Sequence, residues 1–190
     1  MTAIKTVELT KRFKDKTAVD SLSLEVEQGE LVALLGVNGA GKTTMVRMLS
    51  CLLEPTSGDA FLLGNSVTEK PFEIKKIINL SPQETAVARN LTVRENLELI
   101  AGIYGNPKAQ AKEKAQRMIE TFSLEPEAKN KAKTLSGGTQ RRLSIAMALI
   151  SEPKILFLDE PTLGLDVIAR RELWATIKKL KGSVTVILTT

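Results

Sequence analysis

The chain has 190 residues, a net charge of +5, one cysteine and no histidine. Its 43% hydrophobic and 26% charged residues suit one globular domain with a sizeable core, not a disordered chain. A lone Cys51 forms no internal disulfide, and the lack of histidine excludes Ser-His-Asp and Cys-His catalysis and His-ligated zinc.

Met1 to Leu9 carries Lys5 and Glu8 and lacks the apolar centre of a signal peptide. No run of about 18 apolar residues occurs, so a soluble chain is expected. Ile4 to Leu9 and Leu22 to Val26 alternate apolar and polar residues, as half-buried strands do. Leu31 to Leu35 is continuously apolar and predicts a strand buried on both faces of a parallel sheet, stopped by Gly36. From Lys42 the spacing of Met45, Met48, Leu49 and Leu52 predicts a helix, with Cys51 in its last turn as a packed thiol. Ala60 to Leu63 reads as a further strand.

Helical patterns follow at Val93 to Tyr104 and Lys108 to Phe122, separated by Gly105, Asn106 and Pro107. A third helix runs from Gly137 to Ile150 and a fourth from Val167 to Leu180. Ile155 to Leu158 and Val184 to Leu188 are fully apolar strands. Such alternation predicts a parallel α/β sheet with an inserted helical subdomain, residues before Leu91 and after Leu135 forming one unit. Between Lys108 and Lys133, seven Lys or Arg face four Glu. That run reads as a solvated helical face, or as a surface for acidic lipid headgroups or nucleic acid. No aromatic residues interleave with it, which weakens base stacking.

Residues 36–44, GVNGAGKTT, match G-x-x-x-x-G-K-[ST] between a buried strand and a helix. Gly36, Gly39 and Gly41, with Val37, Asn38 and Ala40 between them, let successive N–H groups turn toward phosphate oxygens. The N-terminus of the following helix, with Thr44 in its first turn, adds a positive dipole end. Lys42 can reach the β- and γ-phosphates, and Thr43 can offer its hydroxyl to Mg²⁺. The strand ILFL ends in Asp159 and Glu160. Ligands of open α/β sheets bind at carboxyl strand ends, so Asp159 can hold Mg²⁺ and Glu160 can polarise an attacking water. Alone, this pair would equally be a polar strand end capping a turn. Residues 135–142, LSGGTQRR, open the third helix, and Ser136, Gly137 and Gly138 there suit a second anion site or a simple helix cap.

The three motifs in this order resemble the ATP-binding cassette (ABC) ATPases over essentially the whole chain. The resemblance implies an α/β fold of the P-loop NTPase, RecA-like kind. It has a mostly parallel sheet, an N-terminal antiparallel β part and an inserted α-helical subdomain. Residues 1–190 would form a single ABC ATPase domain with the helical subdomain at about 91–150. It implies ATP and Mg²⁺ as cofactors, Lys42, Gln83 and Glu160 as catalytic residues, and Gln83 beside Thr43 and Asp159 at the metal. Ser136, Gly137, Gly138 and Gln140 would bind the γ-phosphate held by a second ATP-binding subunit, so that two cassettes sandwich two ATP molecules head to tail. Phe13 lies where the family stacks an aromatic on adenine, though a core Phe fits as well. Asp166 matches the dimer-interface aspartate, and Leu163 departs from a position often small or polar in the family.

NLTVRENLELIAGIYG and GLDVIARRELW resemble cassettes that serve separate membrane permeases in drug, lipid or sodium export, at the cytoplasmic face of a bacterial membrane. The family places a switch histidine directly after the strand that ends here at Thr190, with at least one more helix and strand beyond it. A truncated cassette is therefore the expectation, with exposed apolar surface and lowered stability. The same resemblance puts the last strand inside the sheet, beside the phosphate-loop strand. Three functions compete: an ATPase subunit powering transport, a nucleotide-binding module with little hydrolysis, and a non-transport cassette acting on ribosomes or DNA. The helical insert is short and lacks heptads, so no nucleic-acid partner is expected.

Overall fold

The computed structural model describes residues 1–190. In chain order it contains β1 (Thr2–Phe13), β2 (Lys16–Leu22), β3 (Glu25–Glu27), β4 (Leu31–Leu34), α1 (Lys42–Leu49), β5 (Ser57–Leu62), β6 (Asn65–Ser66), α2 (Pro71–Ile77) and β7 (Ile78–Ser81). There follow α3 (Val93–Ile103), α4 (Lys108–Thr121), α5 (Gly137–Leu149), β8 (Ile155–Leu158), α6 (Val167–Lys178) and β9 (Thr185–Thr189). Two compact units result: one of Met1–Leu80, Lys154–Glu160 and Leu180–Thr190, the other of Ser81–Pro153 and Pro161–Lys179. No helix is long and apolar enough to cross a membrane.

The first unit holds an antiparallel sheet in the order β2-β1-β5-β6, with β3 also on β1, and a second sheet in the order β4-β9-β8-β7. β1 runs to Phe13, past the expected end at Leu9, because bulges on either side of Lys11 shift its alternation. The expected strand from Leu22 to Val26 is split instead. Thr6 Oγ1 donates to the Leu22 carbonyl at 2.8 Å and accepts from the Leu24 N–H at 2.9 Å, filling the gap between β2 and β3.

β9 lies between β4 and β8 and pairs parallel with both, Leu31 opposite Val186 and Ile155 opposite Thr185. The interior placement of the last strand is thus as expected. Every residue of β8 and β9 is buried, the mark of central parallel strands. β4 differs from expectation: it is the sheet edge, none of its residues is fully buried, and Leu35 is 78% exposed. Its apolar run reports the neighbour on one side only.

α1 buries Met45, Val46, Met48 and Leu49 among Ile4, Leu62, Ile155, Phe157 and Ile187. Each such side chain contributes roughly 1.5–3 kcal/mol by leaving water. The helix stops a turn earlier than its spacing suggests. Cys51 follows the C-cap Ser50 at φ 55° and Leu52 is exposed. Partial burial raises the Cys51 thiol above its ordinary pKa, so its inert reading stands while its helical place does not. α2 and β7 have no sequence expectation behind them, because the short run IKKIINL fits either period.

In the second unit α3, α4 and α5 pack around Leu97, Ala101, Ala115, Ile119, Phe122 and Leu143, all at or near zero exposure. Thr92 and Glu95 form a reciprocal capping box at the start of α3. Buried Asn96 takes the Ala88 N–H at 2.8 Å and donates to the Ala88, Leu91 and Thr92 carbonyls, tying the preceding loop to the helix. In the basic run, Lys114 and Arg117 pair with Glu152, while Lys108, Lys112, Lys129, Lys131 and Lys133 stay exposed.

Candidate nucleotide site

β4 delivers the chain into the loop 36–41, and α1 begins at Lys42. Gly41 sits at φ 87°, and a Cβ there would come within 2.0 Å of the Ala18 carbonyl oxygen. Glycine is therefore required, and β2 is brought against the loop. Gly39, at φ 82°, adopts the same left-handed backbone, which aims successive N–H groups toward one concavity. The Lys42 ammonium lies along the loop, donating to the Gly36 carbonyl and to the Val37 carbonyl at 3.3 Å. No acidic residue lies in the first turn of α1, whose positive dipole end adds to the anion-binding character of the loop.

Thr43, one residue into α1, donates to Asp159 Oδ1 at 3.2 Å. Asp159 sits at the end of β8, 7% exposed, and its Oδ1 also accepts from Thr189 Oγ1 at 2.7 Å. Glu160 follows at φ 44°, and its N–H donates to Thr189 Oγ1 at 2.8 Å. Parallel pairing of β4, β9 and β8 puts the carboxyl ends of all three strands at one sheet edge. There the fold gathers Gly36 to Thr44, Asp159 and Glu160. No group of three or more Cys, Asp or Glu is clustered as a metal cage. A hydroxyl and a carboxylate side by side fit Mg²⁺, which takes its other oxygens from phosphates and water.

Phe13 ends β1 opposite Lys16 and is 46% exposed, so it is not a core residue. Lys11 Nζ stands 5.3 Å from its ring centroid and donates to the Glu54 carbonyl at 2.6 Å, supporting one face of the ring. A cleft of about 380 Å³ opens beside the loop, lined by Ala18, Val19, Leu34, Ala40, Gly41 and Met45.

Gln83 and Ser136 to Gln140 fall in the second unit. Ser136 caps α5: its Oγ accepts from the Thr139 N–H at 3.2 Å and lies 2.9 Å from the Thr139 hydroxyl. Ser136 and Gly137 are exposed at the helix N-terminus, and a Cβ on Gly137 would meet nothing within 4 Å. Gly138 is tighter, since its Cβ would stand 3.0 Å from the Ala169 Cβ. Gln140 Nε2 donates to the Leu135 carbonyl at 3.1 Å. Gln83 is exposed and shares a cleft of about 410 Å³ with Gly137, Gln140 and Leu163. Asp166 caps α6 through the Ala169 N–H at 2.8 Å.

Two further residues shape the region without a signature in the sequence. Buried Arg141 donates to the carbonyls of Pro161 at 3.0 Å, Gln83 at 3.2 Å and Pro82. In the sequence it is one of two adjacent arginines in a helix of mixed character, and nothing there marks it as the buried one. Nothing marks Thr189 beyond a hydroxyl in an apolar strand.

The protein family described as ABC transporter matches residues 19–163. The chain is 42% identical over 190 residues to the probable multidrug ABC transporter ATP-binding protein YbhF of Escherichia coli (strain K12), covering 100% of this chain and 33% of that one. It is 40% identical over 191 residues to the phospholipid-transporting ATPase ABCA3 of Homo sapiens, covering 98% of this chain and 11% of that one. The chain thus spans a third or less of these two relatives. Among solved structures it is similar to the ATP-binding cassette MJ0796, a dimer in a post-hydrolysis state bound to ADP and Pi. The TM-score is 0.84 and the identity 28%, covering 98% of this chain and 87% of that one.

Proposed function

Because the chain belongs to the ABC transporter family, we propose that it is the ATP-binding cassette of a transporter, binding ATP with Mg²⁺ and hydrolysing it in a head-to-tail dimer. The observation that carries this reading is the 3.2 Å hydrogen bond between Thr43 and Asp159. It joins the phosphate loop to the strand end whose next residue is Glu160. The loop amides from Gly36 to Thr44 and the Lys42 ammonium bind the β- and γ-phosphates. Thr43 and Asp159, with Gln83, would hold Mg²⁺, and the bound ion would supply charge neutralisation at the phosphates. Glu160 orients the attacking water and accepts its proton. Phe13 stacks on adenine with the ring face that Lys11 leaves uncovered. Ser136, Gly137, Gly138 and Gln140 take the γ-phosphate held by a second copy.

The dimeric MJ0796 cassette supports the pairing. YbhF and ABCA3 are named for multidrug and phospholipid transport, which supports a cassette that serves a separate membrane subunit in drug or lipid transport at the cytoplasmic face. The test is steady-state ATP hydrolysis by the wild type and Glu160→Gln. Losing the proton acceptor lowers kcat by roughly 10²–10⁴. Equal turnover in both overturns the role of Glu160.

A further inference from the structure

Thr189 is wholly buried in β9, where a hydroxyl is costly unless both its donor and its acceptor are used. Both are used. Its oxygen accepts from the Glu160 N–H at 2.8 Å, and its proton goes to Asp159 Oδ1 at 2.7 Å. Thr43 donates to that same Oδ1 at 3.2 Å. One hydrogen-bonded chain therefore runs from α1 through Asp159 and Thr189 to the backbone of Glu160. Glu160 needs such an anchor, because at φ 44° it occupies left-handed backbone that a non-glycine residue avoids. That backbone decides where the Glu160 carboxylate is aimed.

We propose that Thr189 is a positioning residue for hydrolysis, locking the candidate general base Glu160 to the candidate metal ligand Asp159. The inference rests on the hydrolysis reading above. Thr189 touches no substrate; it converts two neighbouring acids into a rigid pair with fixed separation. Any shift of β9 is thereby passed to Glu160 and to Asp159 together. The other threonine facing inward from this strand, Thr185, takes the Gly29 N–H at 3.0 Å and has no link to either acid.

Thr189→Val keeps the shape and removes the hydroxyl, while Thr189→Ser keeps the hydroxyl. The full chain and both variants are compared for ATP affinity, for single-turnover rate per bound nucleotide, and for amide hydrogen exchange at Glu160. Thr189→Val is expected to bind ATP within about twofold of wild type and to turn over roughly tenfold or more slower, the loss of one hydrogen bond in the transition state. Its Glu160 amide should exchange faster by a similar factor. Thr189→Ser should restore both. Normalising to bound nucleotide removes any effect of lower folded fraction, which a purely structural role would produce. Unchanged turnover in Thr189→Val, or a Ser variant as slow as Val, overturns the inference. A wild type that binds ATP without turnover overturns the hydrolysis reading instead. Glu160 exchange then decides alone: unchanged exchange in Thr189→Val dismisses the frame, and hydroxyl-dependent exchange upholds it.

Discussion

Gly41 illustrates how one residue type carries both fold and site. Its φ of 87° and the Ala18 carbonyl 2.0 Å from where a Cβ would stand leave no room for alanine. Gly41→Ala must move either the loop or β2. The expected cost is about 2 kcal/mol or more, a fall of roughly 4–8 °C in Tm for a domain of this size, with ATP affinity reduced as well. A variant that melts and binds like wild type would mean the loop has another conformation. The glycines, Lys42 and Thr43 are legible in the sequence because they share one contiguous loop, and Asp159 and Glu160 because they directly follow an apolar strand. Thr189 and Arg141 are not. Their partners lie 29 and 30 residues away for Thr189, and 20, 58 and 59 away for Arg141, and no local pattern encodes such distances. The sequence does not separate an exposed Phe13 from a core one; its 46% exposure does.

Among the elements, helices with a sustained apolar period came out within a residue or two, as did β8 and β9. The failures share a cause: short or interrupted periods. Bulges disguised the length of β1, a hydroxyl-filled gap split β2 from β3, and the edge position of β4 is a matter of sheet order that its apolar run does not reveal. The basic face of α4 is tied down by Glu152, whose carboxyl pKa is lowered mainly by the hydrogen bond from Lys114. A carboxyl with a lower pKa folded than unfolded adds stability above its ordinary pKa. That increment disappears as pH falls through the folded value. Glu152 is 58% exposed on its side chain, so the increment is screened to about a few tenths of a kcal/mol. Glu152→Gln should therefore melt about 1 °C below wild type at neutral pH and converge with it in acid. Parallel melting curves across that range would show the pair to be energetically silent.

For the whole molecule, the family resemblance supplied what periodicity could not, the interior place of β9, and it is the source of the proposal that a second anion site at Ser136 meets the phosphate loop of another copy. The structure adds that Ser136 already spends its oxygen on capping α5. Removing Ser136 would therefore confuse a lost cap with a lost ligand. Ser136→Asp avoids this, because aspartate caps as well as serine while setting a negative charge against any incoming phosphate. If two copies share each ATP between the loop of one and Ser136 of the other, ATP is the glue of the dimer. The direct measurement is the solution mass by light scattering of Glu160→Gln, expected to consume ATP slowly for want of the proton acceptor, with and without Mg·ATP. The Glu160→Gln chain is expected to be a monomer that doubles in mass only with ATP, and the Ser136→Asp, Glu160→Gln double variant to bind ATP yet stay monomeric. A Glu160→Gln chain that binds ATP and remains a monomer, or a double variant that dimerises equally well, would contradict the shared-ATP dimer.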